Sequence, residues 1–153
     1  MLEVTIEEWQ EQYRQDFISL SLDWLEKYVS VEPIDLEMLN NHEEHIFSRH
    51  GRVFFARLNN ETVGTVAMIS RGDRVMELAK LAVAEKFRGD RIGQRLMEHC
   101  IDFAKTRNAD KIILFTADVL VPAVKLYRRF SFIDVALTDN QYAEADMRME
   151  LTF

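Results

Sequence analysis

Apolar residues at Trp9, Tyr13, Phe17 and Leu20 recur at spacings of four, four and three, which predicts a helix over Glu7–Leu20. The run Leu22–Tyr28 continues the pattern with Leu22, Leu25 and Val29 on one side, until Pro33 interrupts it. Asp35 is placed to cap a further turn through Leu36, Met38 and Leu39, and His42–Arg49 reads as another short helix stopped at Gly51. Ahead of these, Met1–Ile6 is short and β-branched, as a strand would be. The period then drops to two. Arg52–Leu58, Glu61–Ser70 and Arg74–Ala84 read as strands joined by turns at Asn59-Asn60 and Arg71-Gly72-Asp73, an antiparallel meander. A 3.6-residue face returns at Ile92, Leu96, Cys100, Phe103 and Ala104, predicting a helix over Ile92–Arg107. Lys111–Thr116 is a continuous apolar run, suited to a strand buried on both faces. A helix over Pro122–Phe130 and strands over Phe132–Leu137 and Ala145–Phe153 complete the chain, the last with Met147, Met149, Leu151 and Phe153 on one face.

The predicted class is therefore α/β with a mixed sheet: a meander, then a β-α-β unit, then two C-terminal strands. At 153 residues with 48% hydrophobic and 29% charged residues, the chain fits one folded domain over 1–153. Its formal net charge of -7 argues against general nucleic-acid binding, which needs a basic surface. A single cysteine, Cys100, excludes an intramolecular disulfide and falls on the apolar helix face. The apolar runs are too short to span a bilayer, and the acidic N-terminus does not resemble a signal peptide, so the expected location is cytoplasmic, with no membrane partner.

The strand–helix–strand unit implies a parallel pair, and ligands of such sheets sit beyond the C-terminal ends of the strands. The loop there, Glu85–Gly93, holds two of the five glycines and three basic residues, Lys86, Arg88 and Arg91. Glycine lets backbone N–H groups approach a ligand, and a helix N-terminus attracts anions. A local anion site on an acidic chain is the expectation.

RGDRIG (Arg88–Gly93), preceded by LAKLAV (Leu78–Val83), resembles the acetyl-CoA motif of the GNAT superfamily of N-acetyltransferases. PAVKLYRRFSF (Pro122–Phe132) resembles that family's downstream helix, and QYAEADMRMEL (Gln141–Leu151) and WLEKYVSVEPID (Trp24–Asp35) resemble segments of its small bacterial-type members. The resemblance implies a GNAT-like fold and transfer of an acetyl group from acetyl-CoA to a primary amine, without a metal. It implies that Arg88, Gly89, Asp90, Arg91, Ile92 and Gly93 bind the cofactor's pyrophosphate, and that the backbone of Leu81, Ala82 and Val83 runs along its pantetheine arm. Arg91 and Ser131 stand where the family usually has glycine.

The resemblance also implies catalytic roles. Tyr127 matches the family tyrosine that protonates the departing thiolate, and a phenol of pKa about 10 suits a thiol of about 8.5. Glu77 lies on strand 74–84, in phase with Leu81 and Val83 at period two, where an acid of the family deprotonates the amine. The acidic balance favours a cationic amine by steering. His42-Glu43-Glu44-His45 lacks the four-residue histidine spacing of a zinc protease helix. Trp9, Tyr13, Phe17, Trp24 and Tyr28 are expected as acceptor-site walls or core. A non-catalytic acyl-CoA-binding module of the same fold is the alternative, and the chain is expected as a monomer or homodimer.

Overall fold

A computed structural model describes residues 3–89 and 91–153. Seven strands form one sheet: β1 (Thr5–Glu8), β2 (Arg52–Leu58), β3 (Glu61–Ser70), β4 (Val75–Val83), β5 (Lys111–Thr116), β6 (Ile133–Val135) and β7 (Met147–Thr152). Their order is β1-β2-β3-β4-β5-β7-β6, antiparallel except for β4–β5. The helices are α1 (Arg14–Tyr28), α2 (Pro33–Asn40), α3 (His42–His45), α4 (Ile92–Thr106) and α5 (Val121–Arg129). No helix among the described residues is long and apolar enough to cross a membrane.

The meander is as the alternation predicts. Phe54, Ala56, Val66 and Met68 point to one face, beneath α4, while Val53, Phe55, Ala67 and Ile69 point to the other, beneath α1 and α2. Both faces of the central strands are thus buried, and the core is two apolar layers divided by the sheet. On the α4 side the helix supplies Ile92, Leu96, Met97, Cys100 and Ala104. On the other, Tyr13, Phe17, Met38 and Leu39 close the layer. Asn59 and Asn60 both take positive φ, 49° and 64°, the conformation a two-residue hairpin turn needs.

The N-terminal region departs from the predicted boundaries. Glu7 and Glu8 extend β1 rather than open a helix, because they pair with Phe55 and Phe54 at the edge of the sheet. Met1 and Leu2, part of the predicted first strand, lie outside the described residues. The helix begins only at Arg14 and runs unbroken to Tyr28. Pro33 opens α2 and Glu32 precedes it; Asp35 is no cap but sits in the first turn and accepts the Glu32 N–H at 2.9 Å. His50, not Gly51, takes the left-handed conformation after the short helical turns, at φ 59°.

Two irregularities shape the middle of the sheet. The first is a bulge in β4. Thr65 pairs with Ala82 and Ala67 with Ala79, so Lys80 and Leu81 together face Val66, and Lys80 has φ 57°. The extra residue reverses the facing of everything after it. Met76 and Leu78 lie on the α4 side before the bulge, and Leu81 and Val83 on that same side after it. Glu77 and Ala79 face the α1 side, so the expected phase of Glu77 with Leu81 and Val83 does not hold. The second irregularity is that β4 and β5 pair only from Val75–Lys111 to Glu77–Ile113 and then part.

Ser131, which follows α5 at φ 72°, is exposed and strained for a non-glycine residue. A left-handed conformation costs such a residue about 1 kcal/mol. Ser131→Gly is expected to raise the melting temperature by about 2–4 °C, the shift that such an energy produces in a domain of this size, as calorimetry would register.

Candidate functional site

Where β4 and β5 part, two cavities open and meet. One, of about 640 Å³, lies between the loop before α4 and helix α5. The other, of about 120 Å³, lies between the end of α1, the start of α2 and the loop that joins β6 to β7. Trp24, Leu81, Leu120 and Tyr127 line both. These four side chains form the wall common to the two cavities, with Tyr127 among them.

The larger cavity brings together most of the residues predicted to bind the cofactor. Leu81, Val83, Arg88, Gly89, Arg91, Ile92 and Gly93 line it, while Ala82 lines the smaller one; Asp90 lies outside the described residues. Gly89 has φ 85° and nothing within 4 Å of the place a Cβ would take, so it is glycine for its backbone and not for space. At Gly93 a Cβ would stand 3.2 Å from Leu126 Cδ2; its absence lets α4 approach α5. Arg91 precedes α4 with φ 62°, in the left-handed conformation for which the usual glycine is suited. Among the described residues no side chain caps this helix end, and its first residues, Ile92 and Gly93, line the cavity. Arg88 stacks on Tyr28, 4.4 Å from the ring centroid, and Lys27 pairs with Glu85, so the end of α1 is tied to the loop.

Tyr127 is 7% exposed, and among the described residues its hydroxyl makes no hydrogen bond. Burial pushes its phenol above the ordinary range, so it holds its proton at any physiological pH. The helix α5 is otherwise shallow: Tyr127 is its one buried residue.

Glu77 enters the smaller cavity from the opposite face of the sheet to Leu81 and Val83, and its side chain is 2% exposed. Its Oε1 accepts from Arg71 Nε at 2.8 Å; a second nitrogen of Arg71 stands 2.6 Å away but too oblique to donate. Its Oε2 accepts from the Tyr142 hydroxyl at 3.0 Å. Burial and the Glu77 carboxylate both push the Tyr142 phenol upward, against a smaller pull from Arg71. Beside them Lys80 forms a buried ion pair with Asp35, and the same ammonium lies 5.4 Å from the Tyr142 ring centroid. The β6–β7 loop is held over this cavity by Glu32, whose carboxylate accepts the N–H of Ala143 at 2.7 Å and of Glu144 at 3.1 Å. Ser21, in the cavity wall, keeps a buried hydroxyl with no hydrogen-bond partner among the described residues.

The sequence of the Acetyltransferase (GNAT) family matches residues 5–132, most of the chain. The chain belongs to that family. A probable N-acetyltransferase camello of Xenopus tropicalis is 31% identical over 98 residues, 63% of this chain and 45% of that protein. The chain spans less than half the length of the curated relatives it matches. Among solved structures, a GNAT-family acetyltransferase of Staphylococcus aureus Mu50 superposes with a TM-score of 0.89 at 22% identity, covering 98% of this chain and 99% of that one. The PaiA N-acetyltransferase of Thermoplasma acidophilum, determined in complex with coenzyme A, gives 0.76 at 13% identity over 99% of both chains. These likenesses establish the acyltransferase fold for the GNAT domain described here.

Within this GNAT domain the sequence pattern located the loop, the strand and Tyr127, but missed Tyr142, Arg71 and the Lys80–Asp35 pair. Tyr142 is 65 residues from Glu77, and no local spacing links them. Trp24 lines the smaller cavity, whereas Tyr28, expected as an acceptor-site wall, lines only the larger one, and Trp9, Tyr13 and Phe17 pack in the α1-side core. Cys100 is buried core, and its thiol is pushed upward by burial. His42 is also buried, its Nδ1 3.1 Å from the Leu39 carbonyl and its ring against Trp9, and His99 packs edge-on against Phe54. Neither lines a cavity.

Removing one partner of a buried ion pair leaves the other charge unpaired, at a cost of about 3 kcal/mol or more. Asp35 also holds the Glu32 N–H. Asp35→Asn is accordingly expected to destabilise the domain by about 3 kcal/mol, as urea denaturation monitored by tryptophan fluorescence would show.

Proposed function

We propose that this chain transfers the acetyl group of acetyl-CoA to a primary amine of a small molecule or peptide, by direct attack in a ternary complex. The observation that carries this reading is the meeting of two cavities at Tyr127, where the parallel strands part. Family membership and the N-acetyltransferase names of its relatives agree with it. The relative bound to coenzyme A gives the larger cavity its expected occupant.

The pyrophosphate of acetyl-CoA sits against Arg88–Gly93, where the N–H groups at the start of α4 and the Arg88 and Arg91 side chains meet its charge. The pantetheine arm lies along Leu81, Ala82 and Val83. Beyond Glu77 this strand has no partner in β5, so its main chain is free to bond the ligand and to polarise the thioester carbonyl.

The amine enters by the smaller cavity. Four carboxylates line it, from Glu32, Asp35, Glu77 and Glu144, against one ammonium, Lys80. That excess suits a cationic acceptor. The acceptor must lose a proton before it attacks, since an amine of pKa about 10.4 is neutral in fewer than about one molecule in a thousand at pH 7. Glu77 is the carboxylate that takes this proton. As the tetrahedral intermediate collapses, the C–S bond breaks and Tyr127 donates its phenolic proton to the sulfur; the second proton that the attacking nitrogen must lose passes through solvent and restores the Tyr127 phenol. Burial raises the Tyr127 phenol, so it is a phenol and not a phenolate when the thiolate departs.

Two measurements test this reading. Gly89→Val forces a β-branched residue into a left-handed turn with open space around it, so the backbone must change. Calorimetry is expected to show acetyl-CoA binding weakened by about 10-fold, the equivalent of one lost charge-assisted contact; unchanged affinity in a folded variant removes the loop from the site. Tyr127→Phe keeps the ring packing and is expected to lower kcat by about 10- to 1000-fold with acetyl-CoA affinity little altered. Full kcat under conditions where chemistry limits the rate would remove Tyr127 as the acid.

A further inference from the structure

Glu77 is poorly placed to meet an amine by itself. Its side chain is almost wholly buried, Oε1 is taken by Arg71, and Oε2 is covered by the hydroxyl of Tyr142. Tyr142 is more exposed than Glu77, comes from the β6–β7 loop and lines the acceptor cavity. Its own position is strongly determined. The Asn140 side chain bonds the Tyr142 backbone at both N–H (2.9 Å) and carbonyl (2.8 Å), and Glu32 holds the next two residues. Its ring packs near Phe115, 5.9 Å between centroids, and its hydroxyl touches Met38 Sδ at 3.5 Å. A tyrosine so fixed lines the cavity and donates its hydroxyl to a buried carboxylate.

We infer that Tyr142 is a catalytic residue that relays the acceptor's proton to Glu77, an inference that rests on the acetyl-transfer reading above. The ammonium N–H bond breaks and its proton joins the Tyr142 oxygen. In the same movement the original Tyr142 proton passes along the existing 3.0 Å hydrogen bond to Glu77 Oε2. The amine is left neutral with its lone pair free, Tyr142 is again a phenol, and Glu77 is a carboxylic acid that returns the proton to water after product leaves. No oxidant, metal or further reactant is needed. Because its phenol is pushed upward, Tyr142 does not lose a proton on its own account and serves only by exchange.

Charged and titratable groups face this pair from each neighbouring element. Arg71, from the β3–β4 turn, donates to Glu77 Oε1 at 2.8 Å. Lys80 of β4 stands by the Tyr142 ring and is itself neutralised by Asp35 of α2. Glu32 precedes α2, Glu144 lies two residues along the loop, and Tyr127 of α5 stands at the junction with the larger cavity. Glu32 and Glu144 attract the ammonium, but both already accept hydrogen bonds elsewhere, Glu32 from the loop and Glu144 from Ser30 at 2.7 Å.

The test compares wild type, Tyr142→Phe, Glu77→Gln and the double variant, by thiol release with acetyl-CoA and a panel of primary amines from pH 6 to 10. Phenylalanine keeps the ring packing, and glutamine keeps a carbonyl oxygen for Arg71; melting temperatures verify that each variant folds. Each single variant is expected to lower kcat/KM by about 10- to 100-fold near pH 7, with the double variant no worse than either, because both remove one relay. The loss is expected to shrink toward pH 10, where the amine is increasingly neutral without help. A loss that is independent of pH, or losses that multiply in the double variant, would overturn the relay while leaving acetyl transfer intact. Absence of thiol release by wild type with every amine would overturn acetyl transfer itself, and the relay with it.

Discussion

The parting of β4 from β5 is the constraint on which the rest of the structure depends. Backbone N–H and C=O groups in a sheet demand partners, and a central strand ordinarily finds them on both sides. Here β4 has them on both sides only as far as Glu77. Beyond that point one edge of the strand faces a cavity rather than a neighbour. The sheet stays whole because β5 pairs instead with β7, and because two buried layers, under α4 and under α1 and α2, clamp the strands on both sides of the gap. That edge is where the proposed pantetheine arm would find main-chain partners.

The bulge at Lys80 serves the same gap. By reversing the facing of β4 it turns Leu81 and Val83 toward α4, beside the loop that starts the helix, while Glu77 remains on the side of α1 and α2. One strand therefore lines both cavities, with Glu77 in the smaller, Val83 in the larger and Leu81 in each. The strained Lys80 is not free to move: its ammonium is held by Asp35, which also holds the backbone at the start of α2. Strain in the strand is thus tied to the wall of the smaller cavity through a buried ion pair.

Charge is partitioned along the same line. The chain is acidic overall, with a formal charge of -7, yet Arg88, Arg91 and Arg129 border the larger cavity and carboxylates border the smaller. Arg88 rests on Tyr28 of α1, so the helix that walls the smaller cavity also touches the loop that borders the larger one. The two sites share four side chains, and Tyr127 is the one among them with chemistry to offer.

The sequence by itself determined the elements whose signals are local. Alternation over Arg52–Leu58 and Glu61–Ser70, the Asn-Asn turn, the amphipathic face of α4 and the glycine-bearing loop before it each follow from a few neighbouring residues, and so does membership of a family defined by such stretches. The order of strands in the meander followed as well, because short turns leave no other pairing. The start of α1 did not, since Glu7 and Glu8 are drawn into the sheet by β2, a strand more than 40 residues away. The facing of Glu77 did not, since one inserted residue reverses a strand and LAKLAV carries no mark of where that residue falls. Nor did Tyr142, Arg71 or the Lys80–Asp35 pair. Their partners are brought together only when the β6–β7 loop, the β3–β4 turn and the start of α2 converge on the gap, and a hydrogen bond between residues 65 positions apart is a property of the packed chain alone.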